Sequence, residues 1–277
     1  MKAAHTVVLS LLCCWVQLAQ AETPVERGRY IVEVIGACGN CHTPQGPDGF
    51  DESRHLAGGT PIDEPGMHAV PRNITQDRET GIGAWTDAEI IRAIREGVRP
   101  DGAVLGPPMP FGFYRQISDQ DVAAIVAYLR TVEPVHNTPE PSHYDFPVPD
   151  SWGPLVGQVP EPDRSDRVAY GAYLAGPLGH CTECHSTPAA NGFPDLENEL
   201  GAGGMPFHGP WGVSVSRNIT PTGLGGCSDD EIKQIITTGV RADGSKLLPP
   251  MGVSYYAHLT DEDLDAIVAY LRSLPPK

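Results

Sequence analysis

Basic side chains are scarce in this sequence: 19 Lys and Arg face 35 Asp and Glu, a formal net charge of −16 over 277 residues. Binding a phosphate backbone needs clustered Lys and Arg, so nucleic acid is excluded as a partner, and a charged partner is expected to be basic. Long apolar runs are rare as well. The one present, Val7–Leu18, is shorter than the roughly 20 residues that cross a bilayer. It follows Lys2 and precedes Ala19-Gln20-Ala21, the small-x-small pattern of a secretory signal. Residues 1–21 are therefore expected to be a signal peptide, cleaved before Glu22, with export to the periplasm and no integral membrane segment afterwards. Cleavage would remove Cys13 and Cys14 and leave Cys38, Cys41, Cys181, Cys184 and Cys227. An odd set argues against a plain disulfide framework. Runs of alternating β-branched residues are also lacking, which excludes a large sheet. What is abundant is Gly, at 31, and Pro, at 28, so long loops are expected around cores drawn from the 40% of residues that are hydrophobic.

Those loops repeat. Cys38-Gly-Asn-Cys-His42 recurs as Cys181-Thr-Glu-Cys-His185, and Arg72-Asn-Ile-Thr75 as Arg217-Asn-Ile-Thr220. Leu105-Gly-Pro-Pro-Met109 recurs as Leu247-Leu-Pro-Pro-Met251, and Ala127-Tyr-Leu-Arg130 as Ala269-Tyr-Leu-Arg272. Two copies of one domain are expected, at residues 22–132 and 165–277. Residues 133–164 between them hold eight prolines and no periodic pattern, and read as an extended linker that wraps the surface.

Each copy reads as three helices. The first is expected from about Val25 to just before Cys38, and from Asp166 to about Gly179. The second begins at Thr86-x-x-Glu89 and Ser228-x-x-Glu231, capping boxes in which hydroxyl and carboxylate satisfy backbone N–H groups reciprocally. The third begins at Ser118 or Thr260 and sets Val122, Ile125, Val126 and Leu129, or Leu264, Ile267, Val268 and Leu271, on one face. The fold class is therefore expected to be all-α.

Cys-x-x-Cys-His is the sequence that attaches c-type haem: two thiols reach the two vinyl groups, and the next His binds iron from one face. A zinc site wants four good ligands, whereas each copy offers two Cys and one His. A redox dithiol wants a βαβ setting that is missing. Two covalently bound haem c groups are thus expected, on Cys38 and Cys41 and on Cys181 and Cys184, with His42 and His185 as proximal iron ligands. Among the methionines after the leader, only Met109 and Met251 match in the repeat, each directly after Pro-Pro, and they are expected as the distal ligands. His/Met ligation raises the reduction potential and closes the iron to substrate. Arg72, Asn73, Arg217 and Asn218 are expected as donors to the haem propionates, because a carboxylate beside an apolar macrocycle needs charged or amide donors. Cys227 stands where the first copy has Trp85, and an unpaired exported thiol leaves intermolecular disulfide formation open.

With these motifs the sequence resembles the diheme class I c-type cytochromes, especially the cytochrome subunits of exported alcohol, aldehyde and gluconate dehydrogenases. The particular marks are Arg-Asn-Ile-Thr followed by Thr80-Gly-Ile-Gly-Ala-Trp-Thr-Asp87, and the Asp-Gly-x-x-Leu-x-Pro-Pro-Met segment. The resemblance covers nearly all of the chain after the leader, although many such subunits carry three haem motifs where this one has two. It implies two tandem domains, each a small helical shell around its haem. It also implies single-electron transfer from a dehydrogenase-type donor to a cytochrome or oxidase acceptor, with no catalytic residues. The competing reading is a diheme redox enzyme, a peroxidase or an oxidoreductase of a small sulfur compound, which would need one iron with an open position.

Overall fold

The computed structural model describes residues 22–277, so the expected signal peptide lies outside the described residues. Helix α1, Pro24–Tyr30, opens on a Thr23–Glu26 capping box and passes into a wider π turn, Ile31–Ile35. Helix α2, Cys38–His42, carries the first Cys-x-x-Cys-His. Helix α3, Asp87–Glu96, begins at the Thr86–Glu89 box and ends on Gly97, whose φ of 67° is the left-handed cap that glycine adopts without strain. A single turn, α4, Phe111–Tyr114, precedes α5, Asp119–Leu129, capped by Ser118.

The same series returns in the second half. Helix α6, Arg167–Tyr173, runs into the π turn Leu174–Leu178, and α7, Cys181–Cys184, holds the second motif. A short α8, Pro221–Leu224, is followed by α9, Asp229–Thr238, with its Ser228–Glu231 box, then α10, Val253–Tyr256, and α11, Asp261–Ser273. The fold is mostly helical.

It is not purely so, and the all-α expectation is corrected by short hairpins. Strands β1, Gln45–Gly46, and β2, Gly49–Phe50, pair with each other. Strands β3, Ile62–Glu64, β4, Met67–Ala69, and β5, His143–Tyr144, form a three-stranded sheet. Strands β6, Pro206–Gly209, and β7, Gly212–Val215, pair alone. Segments this short show no legible alternation, and their glycine and proline turns mask them as loop.

In each half the first helix crosses the last. Gly28 lies under Ala124, where an added Cβ would stand 1.8 Å from the Ala124 carbonyl oxygen, and Gly171 lies under Ala266, where the distance would be 1.9 Å. The backbones touch because nothing larger than hydrogen intervenes. Around these crossings the apolar faces of α3, α5 and α11 close on one continuous core that includes Ile31, Val32, Ile90, Val122, Leu174, Ile232 and Leu264.

The two halves meet through a crosswise exchange. Tyr30 Oη donates to Asp263 Oδ2 at 2.5 Å and accepts from the Thr260 N–H, while Tyr173 Oη donates to Asp121 Oδ2 at 2.8 Å and accepts from the Ser118 N–H. Each first helix thus reaches the cap of the other half's last helix. Asp121 is also bound by Arg27 at 2.7 Å, both side chains buried. Burial alone would lower the Arg27 pKa, but the paired carboxylate outweighs it and the net shift is upward.

Candidate haem-binding site

The residue before each motif, Ala37 at φ 45° and His180 at φ 38°, is left-handed, although neither is glycine. That kink turns the chain out of the π turn into the short helix, which sets the two cysteines of each motif one turn apart on a common face. Burial pushes the Cys38 thiol up to about 12 and those of Cys41 and Cys181 up to about 11, and it raises Cys184 as well. The sulfurs are therefore held as thiols, unlike the low-pKa thiolates of redox dithiols. Among the described residues no three His, Cys, Asp or Glu side chains converge as a metal cluster.

The imidazoles are oriented identically. His42 Nδ1 lies 2.7 Å from the Arg72 carbonyl oxygen, and His185 Nδ1 lies 2.7 Å from that of Arg217. A carbonyl only accepts, so Nδ1 carries the proton and Nε2 presents its lone pair. Burial lowers both imidazole pKa values, against the opposing hydrogen bond, and keeps the rings neutral and able to ligate. The Arg-Asn-Ile-Thr loops are thus the orienting contact of the histidines, a role the sequence left unseen because it runs through backbone atoms.

The asparagines of those loops serve the loop itself. Asn73 Oδ1 accepts from the Thr75 N–H at 3.0 Å and Oγ1 at 2.7 Å, and its amide donates to Thr80 Oγ1 and the Val135 carbonyl. Asn218 Oδ1 accepts from the Thr220 N–H and Oγ1, and its amide donates to the Lys277 carbonyl. Arg72 is different. It is half-buried, and burial together with the neighbouring Arg99 charge lowers its pKa. Arg99 Nε is buried without a hydrogen-bond partner among the described residues, although its Nη2 pairs with Asp101 at 3.2 Å. Two adjacent guanidiniums with an orphaned donor suit an incoming carboxylate. Arg217 is exposed.

Met109 and Met251 are both half-buried against the core. In the second half Cys181, His185 and Met251 line one cavity, whose remaining wall includes Ile219, Ile236, Leu259, Ile267 and Leu271. It encloses about 440 Å³ of empty space, part of it open to solvent. An apolar chamber with an anchoring thiol, a neutral imidazole and a thioether fits an apolar iron macrocycle. Ile35, from the first half, belongs to the same wall.

The two motifs stand close together. Asn40 Nδ2 donates to the Pro250 carbonyl at 3.2 Å, Tyr255 covers Gly39, and the Tyr114 ring meets the His180 ring edge-on at 5.9 Å between centroids. Tyr114 and Tyr256 are buried, and burial lifts both phenols well above the ordinary tyrosine value. His180 also lies 3.4 Å from Glu183. None of these contacts was visible in the sequence, although Tyr30 matches Tyr173 and Asp121 matches Asp263 once the copies are superposed. Cys227 is half-buried and unpaired, and its carbonyl is held by Arg272 as that of Trp85 is by Arg130.

A helical shell closing on cysteines, imidazole and thioether defines the class of covalent haem proteins, and comparison with known sequences agrees. Residues 25–133 match the cytochrome c family. The chain is 34% identical over 252 residues to a diheme cytochrome c-type of Cereibacter sphaeroides, covering 87% of this chain and 82% of that protein. It is 33% identical over 285 residues to the cytochrome c subunit of alcohol dehydrogenase (quinone) from Gluconacetobacter polyoxogenes, covering 93% of this chain and 58% of that one. It is also 35% identical over 263 residues to a nicotinate dehydrogenase subunit of Pseudomonas putida, covering 90% of this chain and 21% of that one. The chain belongs to the cytochrome c family, whose members carry haem c and transfer electrons. It spans about three fifths or less of the length of these two dehydrogenase subunits. No helix among the described residues is long and apolar enough to cross a membrane.

Proposed function

We propose that this chain is a periplasmic diheme cytochrome that passes single electrons from a dehydrogenase-type donor to a cytochrome or oxidase acceptor, as a free carrier or as an electron-transfer subunit. Two tandem haem domains, residues 22–132 and 165–277, would be joined by residues 133–164 and preceded by a signal peptide at 1–21. The observation that carries the reading is the common lining of one apolar cavity by Cys181, His185 and Met251, residues whose partners in the repeat are Cys38, His42 and Met109.

Bound haem c would supply the one-electron iron couple. The chain's own part is attachment, ligation and exclusion of water. Cys38, Cys41, Cys181 and Cys184 would form the thioethers. His42 and His185 would offer Nε2, with the proton held at Nδ1 by the Arg72 and Arg217 carbonyls. Met109 and Met251 would offer sulfur on the opposite side. Arg72 and Arg217 would meet the propionates, with Asn73 and Asn218 fixing the loops that carry them. The wall between the two sites is built from Ile35 and neutral phenols such as Tyr114 and Tyr256, which supports exchange between the two halves without a trapped charge.

A haem stain with quantitation, followed by potentiometric titration under optical and paramagnetic resonance detection, tests the proposal. Two low-spin haems of His/Met type are expected. Met251→Ala should lower one potential and open that iron to carbon monoxide, since the thioether both raises the potential and blocks the sixth position. A colourless protein, or native haem that binds carbon monoxide rapidly, would overturn the carrier reading.

A further inference from the structure

Residues 133–164 lie on the first half and do more than connect. Val135 accepts from the Asn73 amide, Ser142 Oγ accepts from the Val70 N–H at 2.9 Å, and β5 adds a third strand beside β4. Tyr144 Oη then donates to the Pro107 carbonyl at 2.8 Å with its ring over Gly106. Trp152 Nε1 donates to the Leu105 carbonyl at 2.8 Å while its ring lies 5.5 Å from that of Phe111. The segment therefore runs over both the Arg72 loop and the loop that leads to Met109.

The matching loops of the second half stand open among the described residues. Strand β7 pairs only with β6. Val215, which corresponds to Val70, is 57% exposed against 6%. Leu248, which corresponds to Gly106 beneath the Tyr144 ring, is 51% exposed. Arg217 is exposed where Arg72 is half-buried, and the cavity lined by Met251 opens partly to solvent.

We propose that residues 133–164 insulate the first haem site and leave the second as the point where the chain exchanges electrons with other molecules. This rests on the two-haem reading above. Exchange between molecules needs close approach of the two redox centres. A strap with its own hydrogen bonds to both haem-facing loops prevents that approach at the first site, and nothing equivalent lies over the second among the described residues.

The test uses the haem-loaded chain, with both haems first verified by pyridine haemochrome. Reduced protein is oxidised by hexacyanoferrate(III), one electron reducing each to hexacyanoferrate(II), at an ionic strength of about 0.1 M, where screening confines a charge to about 10 Å. Val215→Lys with Leu248→Lys places positive charge beside the second site and should raise the bimolecular rate about threefold or more, an effect that added salt removes. Glu140→Lys with Asp145→Lys, on the outer face of the strap, changes more charge and should leave the rate within about twofold of the parent. A strap variant that matches or exceeds the first pair would overturn the proposal. Hydrogen exchange gives a readout independent of electron transfer: amides of residues 212–217 should exchange at least about tenfold faster than those of 67–72, and equal protection would also overturn it. A haem count below two instead rejects the underlying two-haem reading, a distinct result.

Discussion

At the scale of single residues, the buried Arg27–Asp121 pair carries the clearest energetic consequence. The two side chains are 5% and 0% exposed, and Asp121 also receives the Tyr173 hydroxyl. Removing the carboxylate strands a guanidinium in the core, a change that costs about 3–5 kcal/mol. Asp121→Ala should therefore lower the denaturant midpoint sharply, whereas a loss below about 1 kcal/mol, the level of an exposed pair, would refute the assignment. A second residue-scale effect depends on pH. His55 Nε2 contacts Glu33 at 2.8 Å, and that hydrogen bond, opposed by burial, raises the imidazole pKa; Glu52 and the Thr43 hydroxyl are its other polar neighbours. A raised histidine contributes stability that is complete below its ordinary value of about 6.5 and disappears as the pH rises through the folded value. The stability gap between the parent and His55→Gln, read from denaturation midpoints, should accordingly be widest in mild acid and close in mild alkali. A gap that widened with pH would remove the argument.

At the scale of elements, the crossings of α1 with α5 and of α6 with α11 depend on Gly28 and Gly171. A methyl at either position would lie inside the van der Waals radius of a backbone carbonyl, and backbone cannot step aside as a flexible side chain can. Gly28→Ala and Gly171→Ala should each cost about 1–3 kcal/mol or more, although alanine is the better helix former. Thermal denaturation decides the matter: a neutral or stabilising alanine would mean that the helices do not touch there. These same elements show what was legible beforehand. The capping boxes at Thr86 and Ser228 and the apolar stripes of α5 and α11 were readable because they are local, fixed by residues three or four apart. The π turns at Ile31–Ile35 and Leu174–Leu178 were not, since a widened turn has no composition of its own. The three hairpins escaped because strands of two to four residues are shorter than one readable period. The haem motifs were plain in the sequence, whereas the carbonyls of Arg72 and Arg217 that fix the imidazoles were hidden, as backbone atoms belong to every residue alike.

At the scale of the whole molecule, the repeat announced two copies but not how they face each other, and the tyrosine exchange answers that. The exchange is symmetric in its hydrogen bonds and asymmetric in its electrostatics. Asp121 keeps Arg27 whatever becomes of Tyr173, whereas the second copy has Tyr170 in the place of Arg27, and Asp263 has no ion-pair partner among the described residues. A hydrogen bond to a buried charged group is worth about 1.5–3 kcal/mol, and its loss is felt most where no other strong partner remains. Tyr30→Phe should then destabilise the chain more than Tyr173→Phe, though each removes one hydroxyl from an equivalent position. Both should leave haem attachment intact, because neither tyrosine belongs to a Cys-x-x-Cys-His segment or to a Pro-Pro-Met loop. Thermal melts of the two variants at neutral pH provide the measurement. If Tyr173→Phe proved the more damaging, Asp263 would have to hold a compensating charge that this packing does not supply, and the electrostatic account of how the halves are joined would fail.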